Sequence, residues 1–179
     1  AVADVGGHSA VLGYGLADEL GPRRVDAGKT RFLIASVTKT FTATVIAQLL
    51  DRGQLRSLDE LVNDYLRRAR LPAVSGEPIT IRDLLTHRGG LDLLGFGMVS
   101  ETPMAAPVSG DFVASMLAPP VRPRGGDVVY SNLGFALLGA MAEDVAGTTL
   151  ASAMQAMIFA PLGMGSTELS YLPQPETDL

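Results

Sequence analysis

Ser36-Val37-Thr38-Lys39-Thr40-Phe41 opens an apolar run in which Val37, Phe41, Val45, Ile46, Leu49 and Leu50 recur at helical spacing. The pattern predicts a helix over residues 37–50, with Gly53 as the left-handed residue that closes it. Ser36 and Lys39 stand at i and i+3, so on a helix they share a face and their side chains can meet. A serine becomes a nucleophile only beside a group that can take its proton. Of the 14 Lys and Arg residues only Lys29 and Lys39 are lysines. An arginine keeps its proton in a protein, whereas a lysine amine can be made neutral by its surroundings. A serine at a helix start also lies near free backbone N–H groups and the positive end of the dipole. By itself the pair is a weak signal, because Ser36 equally reads as a helix N-cap. The flanking Phe32-Leu33-Ile34-Ala35 and Thr40-Phe41-Thr42 strengthen it, since they are expected to bury both ends of the pair.

A second constellation, Tyr130-Ser131-Asn132, follows the Gly125-Gly126-Asp127 turn and opens another apolar helix. Read plainly, Tyr130 is a boundary aromatic and Ser131 or Asn132 a cap. Read functionally, a phenol near Lys39 has its charged form stabilised and carries protons, while Asn132 donates its amide to a substrate carbonyl.

The 179 residues suffice for one substantial core, or a core with a small lobe. Charged residues are 18% against 47% apolar, below the roughly 25% charged of ordinary domains. That composition argues against disorder. A net charge of −5 and a pI near 4.9 argue against a nucleic-acid partner. The short arginine clusters, Arg67-Arg68 with Arg70 and Arg122 with Arg124, read as solvated helix ends or loops. With Cys 0, disulfides and thiolate metal sites are excluded, and His8 and His87 lie far apart in sequence. No metal site is therefore read from these residues. No apolar run reaches the about 18 residues needed to span a bilayer.

Along the chain, residues 1–5 and 10–14 read as two strands joined through Gly6-Gly7-His8-Ser9, and residues 30–34 as a third strand or an extended lead. Helices are expected over 58–68, 81–86, 110–118, 131–146 and 150–159, the first two opened by capping boxes at Ser57-Leu58-Asp59-Glu60 and Thr80-Ile81-Arg82-Asp83. Residues 91–107 read as a loop, and 171–179 as extended. Ala27-Gly28-Lys29-Thr30 imitates the tail of a phosphate-binding loop. The glycine that motif needs at position 23 is Arg23, so a surface turn is the better reading. The sequence holds no Gly-x-Ser-x-Gly elbow, which removes the α/β-hydrolase alternative.

Four segments in order then resemble the serine β-lactamase and penicillin-binding-protein-like hydrolases, in the branch of class C β-lactamases, D-alanyl-D-alanine carboxypeptidases and related esterases. They are Phe32-Leu33-Ile34-Ala35-Ser36-Val37-Thr38-Lys39, Leu84-Leu85-Thr86-His87-Arg88-Gly89-Gly90-Leu91, Tyr130-Ser131-Asn132-Leu133-Gly134-Phe135 and Ile158-Phe159-Ala160-Pro161-Leu162-Gly163-Met164. The resemblance implies an α+β, β-lactamase/transpeptidase-like fold: a partial antiparallel sheet plus a helical lobe. Residues 1–50 would carry the Ser-x-x-Lys helix and 51–179 the helical lobe with Tyr-Ser-Asn, the site lying where they meet. It makes Ser36 the nucleophile, with Lys39 and Tyr130 sharing its activation, Asn132 binding substrate and the Ser36 N–H serving as one oxyanion donor. His87 is expected to have a structural hydrogen-bonding role.

Implied substrates are β-lactams, D-alanyl peptides or small esters, with a lean to esterase or peptidase and with a poorly turning-over penicillin-acylated sensor as the alternative. The compartment stays open, with the cell envelope or secretion favoured by the resemblance. The family's further Lys- or His-x-Gly strand, well beyond the segment that ends at Met164, and its helix before the first strand are expected to be missing from this sequence. The chain is thus expected to be a fragment or one half of a two-chain enzyme, missing one oxyanion donor, a loss worth on the order of 10²–10³ in rate.

Overall fold

The computed structural model describes residues 2–5, 8–17, 21–72, 77–91, 113–114, 117 and 122–170. Two compact units emerge: Ala1–Ala35 with Leu172–Leu179, and Ser36–Tyr171.

The first unit is built on a hairpin of β1 (Val2–Val5) and β2 (His8–Val11), antiparallel with Val2 opposite Val11 and Val5 opposite His8. β2 spans His8–Val11 rather than the 10–14 that the sequence predicted, with His8 pairing with Val5 across the ladder. Further along, Ala17 N–H donates to the Arg23 carbonyl at 2.9 Å and Val25 N–H to that of Gly15 at 3.1 Å. The stretch 26–30 is the expected surface turn: Asp26 Oδ1 accepts the Gly28 N–H at 2.8 Å, and Thr30 Oγ1 accepts the Asp26 N–H at 2.9 Å. Residues 30–34 form no strand. With no ladder partner among the described residues, Phe32 and Leu33 face solvent, 68% and 76% exposed. The expectation that this flank buries the Ser36 end of the pair is thereby overturned.

The second unit is a helical core. The helix α1 (Thr38–Asp51) buries Thr42, Val45, Ile46 and Leu49, and stops where Gly53 takes φ 71°. The longest helix among the described residues, α3 (Asn132–Ala146), buries Leu133, Leu137, Leu138 and Met141, and packs on α1. A short helix α4 (Leu150–Met154) runs into a π-type turn (Gln155–Phe159), and both pack against α1. Here Phe159 meets Phe41 edge to face at 5.2 Å, and Gln48 Nε2 donates to the Met157 carbonyl at 3.0 Å. Each buried Leu, Ile or Met of this interior contributes about 1.5–3 kcal/mol relative to exposure. Among the described residues no single helix is long and apolar enough to cross a membrane.

A further helix, α2 (Ile81–Leu85), opens on the predicted capping box: Thr80 Oγ1 accepts the Asp83 N–H at 3.2 Å, and Asp83 Oδ2 accepts the Thr80 N–H at 2.9 Å. The helix predicted over 58–68 does not form. Glu60 does reach back to the Ser57 N–H at 3.4 Å, but Leu61 is extended and bridges to Thr80. Val62 N–H then bonds the Ile79 carbonyl at 3.0 Å, leaving only a 3-10 turn at Val62–Asp64. Asn63 clasps both backbone groups of Leu71 at 2.8 Å, and the Arg67 N–H donates to Asp144 at 2.8 Å. Long-range partners thus satisfy the backbone that a helix would otherwise have satisfied. Of the predicted 110–118 helix only residues 113, 114 and 117 are described, the first two helical and the third not, while the 91–107 loop after Leu91 and the 171–179 tail lie outside the described residues.

Candidate active site

Ser36 sits in a 3-10 turn, Ala35–Val37, that leads into α1. The residue before it, Ala35, is held at φ 43°, a left-handed conformation that costs a non-glycine residue about 1–2 kcal/mol. The cap position of α1 is Val37, which makes no side-chain cap bond, so Ser36 is not spent on capping. Its exposed hydroxyl instead receives two hydrogen bonds, from Tyr130 OH at 2.8 Å and from Lys39 Nζ at 3.2 Å. Lys39 is one turn further along the same helix face and half-buried.

Tyr130, Ser131 and Asn132 divide three tasks. Ser131 is the N-cap of α3, its Oγ accepting the Gly134 N–H at 3.0 Å. That leaves the neighbours on either side free to face Ser36 and Lys39. Tyr130 is 43% exposed, with its ring 4.8 Å from Lys39 Nζ. Asn132 Oδ1 accepts from Lys39 Nζ at 2.6 Å. Because an amide nitrogen cannot accept from an ammonium, this contact fixes the side chain with its NH₂ directed elsewhere, available as a donor. The four residues predicted from sequence therefore come together in one cluster, within the Ser36–Tyr171 unit.

The electrostatics favour ionisation of the phenol. The hydrogen bond from Lys39, then that to Ser36, hold the Tyr130 hydroxyl below the usual tyrosine range, with only slight opposition from burial. His87, expected to be structural, lies directly behind Tyr130. Its ring stacks on Tyr130 at 4.5 Å and on Phe135 at 5.1 Å. Burial and then the Lys39 charge push its pKa down.

The segment carrying Tyr130 is tied to the turn after α2. Arg124 Nη1 pairs with Asp83 at 3.0 Å, Gly125 N–H donates to the Arg88 carbonyl at 2.8 Å, and Arg88 Nη1 donates to that of Gly126 at 2.8 Å. Gly90 allows this close approach, since a Cβ there would lie 2.0 Å from the Arg122 carbonyl oxygen. Sequence reading did not single out Arg88 or Arg124 for this role. Their only signal was position, inside or beside segments already marked. Among the described residues, no group of three or more His, Asp and Glu is placed to hold a metal ion.

Ser36, Lys39 one turn on, and the facing Tyr130 and Asn132 at the start of a second helix thus form one hydrogen-bonded cluster on the helical unit. Residues 1–177 match the beta-lactamase family, and the chain belongs to it. Esterase EstB of Burkholderia gladioli is 36% identical over 181 residues, covering 92% of this chain and 45% of that protein. The D-alanyl-D-alanine-carboxypeptidase/endopeptidase AmpH of Escherichia coli is 31% identical, over 80% of this chain and 37% of that one. Among solved structures, the penicillin-binding protein from Bacillus halodurans superposes with a TM-score of 0.77 at 29% identity, covering 96% of this chain and 54% of its own. The fold is thus that of the β-lactamase/transpeptidase group. The chain spans less than half the length of these curated relatives.

Proposed function

We propose that the chain carries the acylation centre of a serine hydrolase that acts through a covalent acyl-enzyme on D-alanyl peptides, small carboxylic esters or β-lactams. The observation that carries this reading is the convergence of Tyr130 OH and Lys39 Nζ on Ser36 Oγ, at 2.8 and 3.2 Å. Tyr130, as phenolate beside Lys39, takes the Ser36 proton while Oγ bonds to the substrate carbonyl carbon. Collapse of the tetrahedral adduct breaks the C–N or C–O bond, and Tyr130 returns that proton to the leaving group. Water then attacks the acyl carbon, its proton passes to Tyr130 and on to Ser36 Oγ, and the free acid leaves. Asn132, its oxygen engaged by Lys39, offers its NH₂ to the substrate's carbonyl oxygen. The esterase and carboxypeptidase names of the relatives support the ester and peptide classes.

A fluorophosphonate and a fluorescent penicillin test this directly. Covalent labelling of the chain, mapped to Ser36 by peptide mass and absent from Ser36→Ala, is the expected result. Labelling that persists in that variant, or that never occurs, refutes the reading. A penicillin adduct that forms but is not released identifies an acylated sensor instead of a hydrolase.

A further inference from the structure

His87 stands at φ 57°, a backbone conformation in which glycine is the usual occupant. A glycine there would relieve the strain, so what holds a histidine in place is its side chain and its contacts. Two acceptors of this residue go to one short segment. The His87 carbonyl accepts the Val129 N–H at 2.9 Å, and Nδ1 accepts the Ser131 N–H at 3.1 Å. The residue between those two donors is Tyr130, whose ring lies against the imidazole at 4.5 Å with an interplanar angle of 32°. Phe135 closes the other contact of the ring at 5.1 Å.

We propose that His87 is the positioning residue for Tyr130: it grips the peptide N–H on either side of the tyrosine and braces its ring, and the Nδ1 half of that grip exists only in the neutral imidazole. An Nδ1 that accepts puts the single ring proton on Nε2; the imidazolium carries a proton on each nitrogen and cannot accept at all. Protonation would set two donors against each other at 3.1 Å, and the segment bearing the phenol would move off Ser36 Oγ. The Arg88 and Arg124 ties hold residues 124–126 and do not reach the 129–131 end, so they do not substitute for the clasp.

Among the described residues, these charged and titratable groups bear on the ring. Lys39 faces it from α1 and disfavours the imidazolium, and the Tyr130 phenol faces it from its own segment. Asp83 of α2 is already engaged by Thr80 and Arg124, and α3 presents the uncharged Phe135. Burial acts with Lys39, so the neutral state that the clasp needs is the favoured one at neutral pH.

The catalytic half of this proposal rests on the acylation reading of Ser36, so the test has two arms. In the first, NMR follows the His87 ring, the Ser131 amide and the Tyr130 ring of the whole chain against pH. The Ser131 and Tyr130 signals are expected to shift together with the His87 titration, at a midpoint below 6.5. In His87→Asn, whose Oδ1 replaces the Nδ1 acceptor without titrating and whose side chain tolerates positive φ, that transition should vanish. In the second arm, the rate of fluorophosphonate labelling is measured over the same range. The wild type should lose an additional factor of about ten per pH unit below the His87 midpoint, and His87→Asn should not. His87→Ala should label at least about tenfold more slowly at pH 8, with His87→Asn restoring the rate. Ser131 and Tyr130 signals that ignore the His87 titration, or an acid transition that survives in His87→Asn, overturn the proposal. If no label attaches at any pH, the acylation reading fails while the NMR arm still decides the clasp.

Discussion

Replacing Tyr130 by Phe removes one atom from the site and little else. The lost hydroxyl lies 2.8 Å from Ser36 Oγ, while the ring that remains keeps its stack on His87 at 4.5 Å. Tyr130 is 43% exposed, so the folded state should change by no more than about 0.5 kcal/mol. The acylation rate should fall by about 10²–10⁴, the range of a positioned general base, which is about 2.7–5.4 kcal/mol of barrier. Lys39 stays 3.2 Å from Ser36 and remains anchored to Asn132 at 2.6 Å, so labelling should be slowed rather than abolished. The pH profile adds a sign. Lys39 and then Ser36 hold the Tyr130 pKa below its ordinary 10.0. If Tyr130 acts as phenolate, as proposed, the wild-type rate should rise with pH and level off below pH 10, and Tyr130→Phe should lose that limb. Time courses of fluorophosphonate labelling from pH 7 to 10, with thermal melts alongside, measure both quantities. A variant that labels within threefold of wild type, or keeps the same rising limb, would refute the assignment of Tyr130 as the base.

Gly90→Ala should cost about 2 kcal/mol or more, because Gly90 sits at φ 70° and the added Cβ would meet the Arg122 carbonyl oxygen at 2.0 Å. An unchanged urea midpoint would show that the approach is looser than described. Asp83 gives an acid-stability prediction. Burial opposes its charge, but hydrogen bonds from Thr80 and the Arg124 pair outweigh burial and hold its carboxyl below the ordinary aspartate value of 3.8. Its stabilising contribution is therefore complete above about pH 4 and is lost as pH falls through the depressed folded value. Asp83→Asn should lower the melting temperature at pH 7 and flatten its dependence between pH 2 and 5. An equally steep acid limb in the variant would place the effect elsewhere.

Local signals carried well where the structure stayed local. The helix from Thr38 follows from apolar spacing, its end from Gly53, and the start of α2 from the Thr80–Asp83 box. The same kind of signal failed at 58–68. Ser57 and Glu60 make part of a capping box, yet the bridge from Leu61 to Thr80 draws the chain into an extended conformation just where the helix should propagate. No local pattern encodes a partner some twenty residues away. The flank 32–34 failed for a related reason. Its apolar residues predict burial, but what lies over them is a tertiary matter, and they are exposed here.

What the sequence alone determined is the content of the site: Ser36 and Lys39 one helical turn apart, and Tyr130 and Asn132 on either side of a helix cap. Helical periodicity and capping chemistry are properties of neighbouring residues, so they can be read from order and spacing. Only the tertiary structure decided that these two segments, 94 positions apart at Ser36 and Tyr130, share one hydrogen-bonded cluster. It also decided that His87, in a third segment, grips the backbone on both sides of the tyrosine. That arrangement depends on α1 packing against α3 and α2 against α3, and on a histidine held at positive φ. Such contacts arise from the collective burial of the core, which no single stretch of the chain specifies.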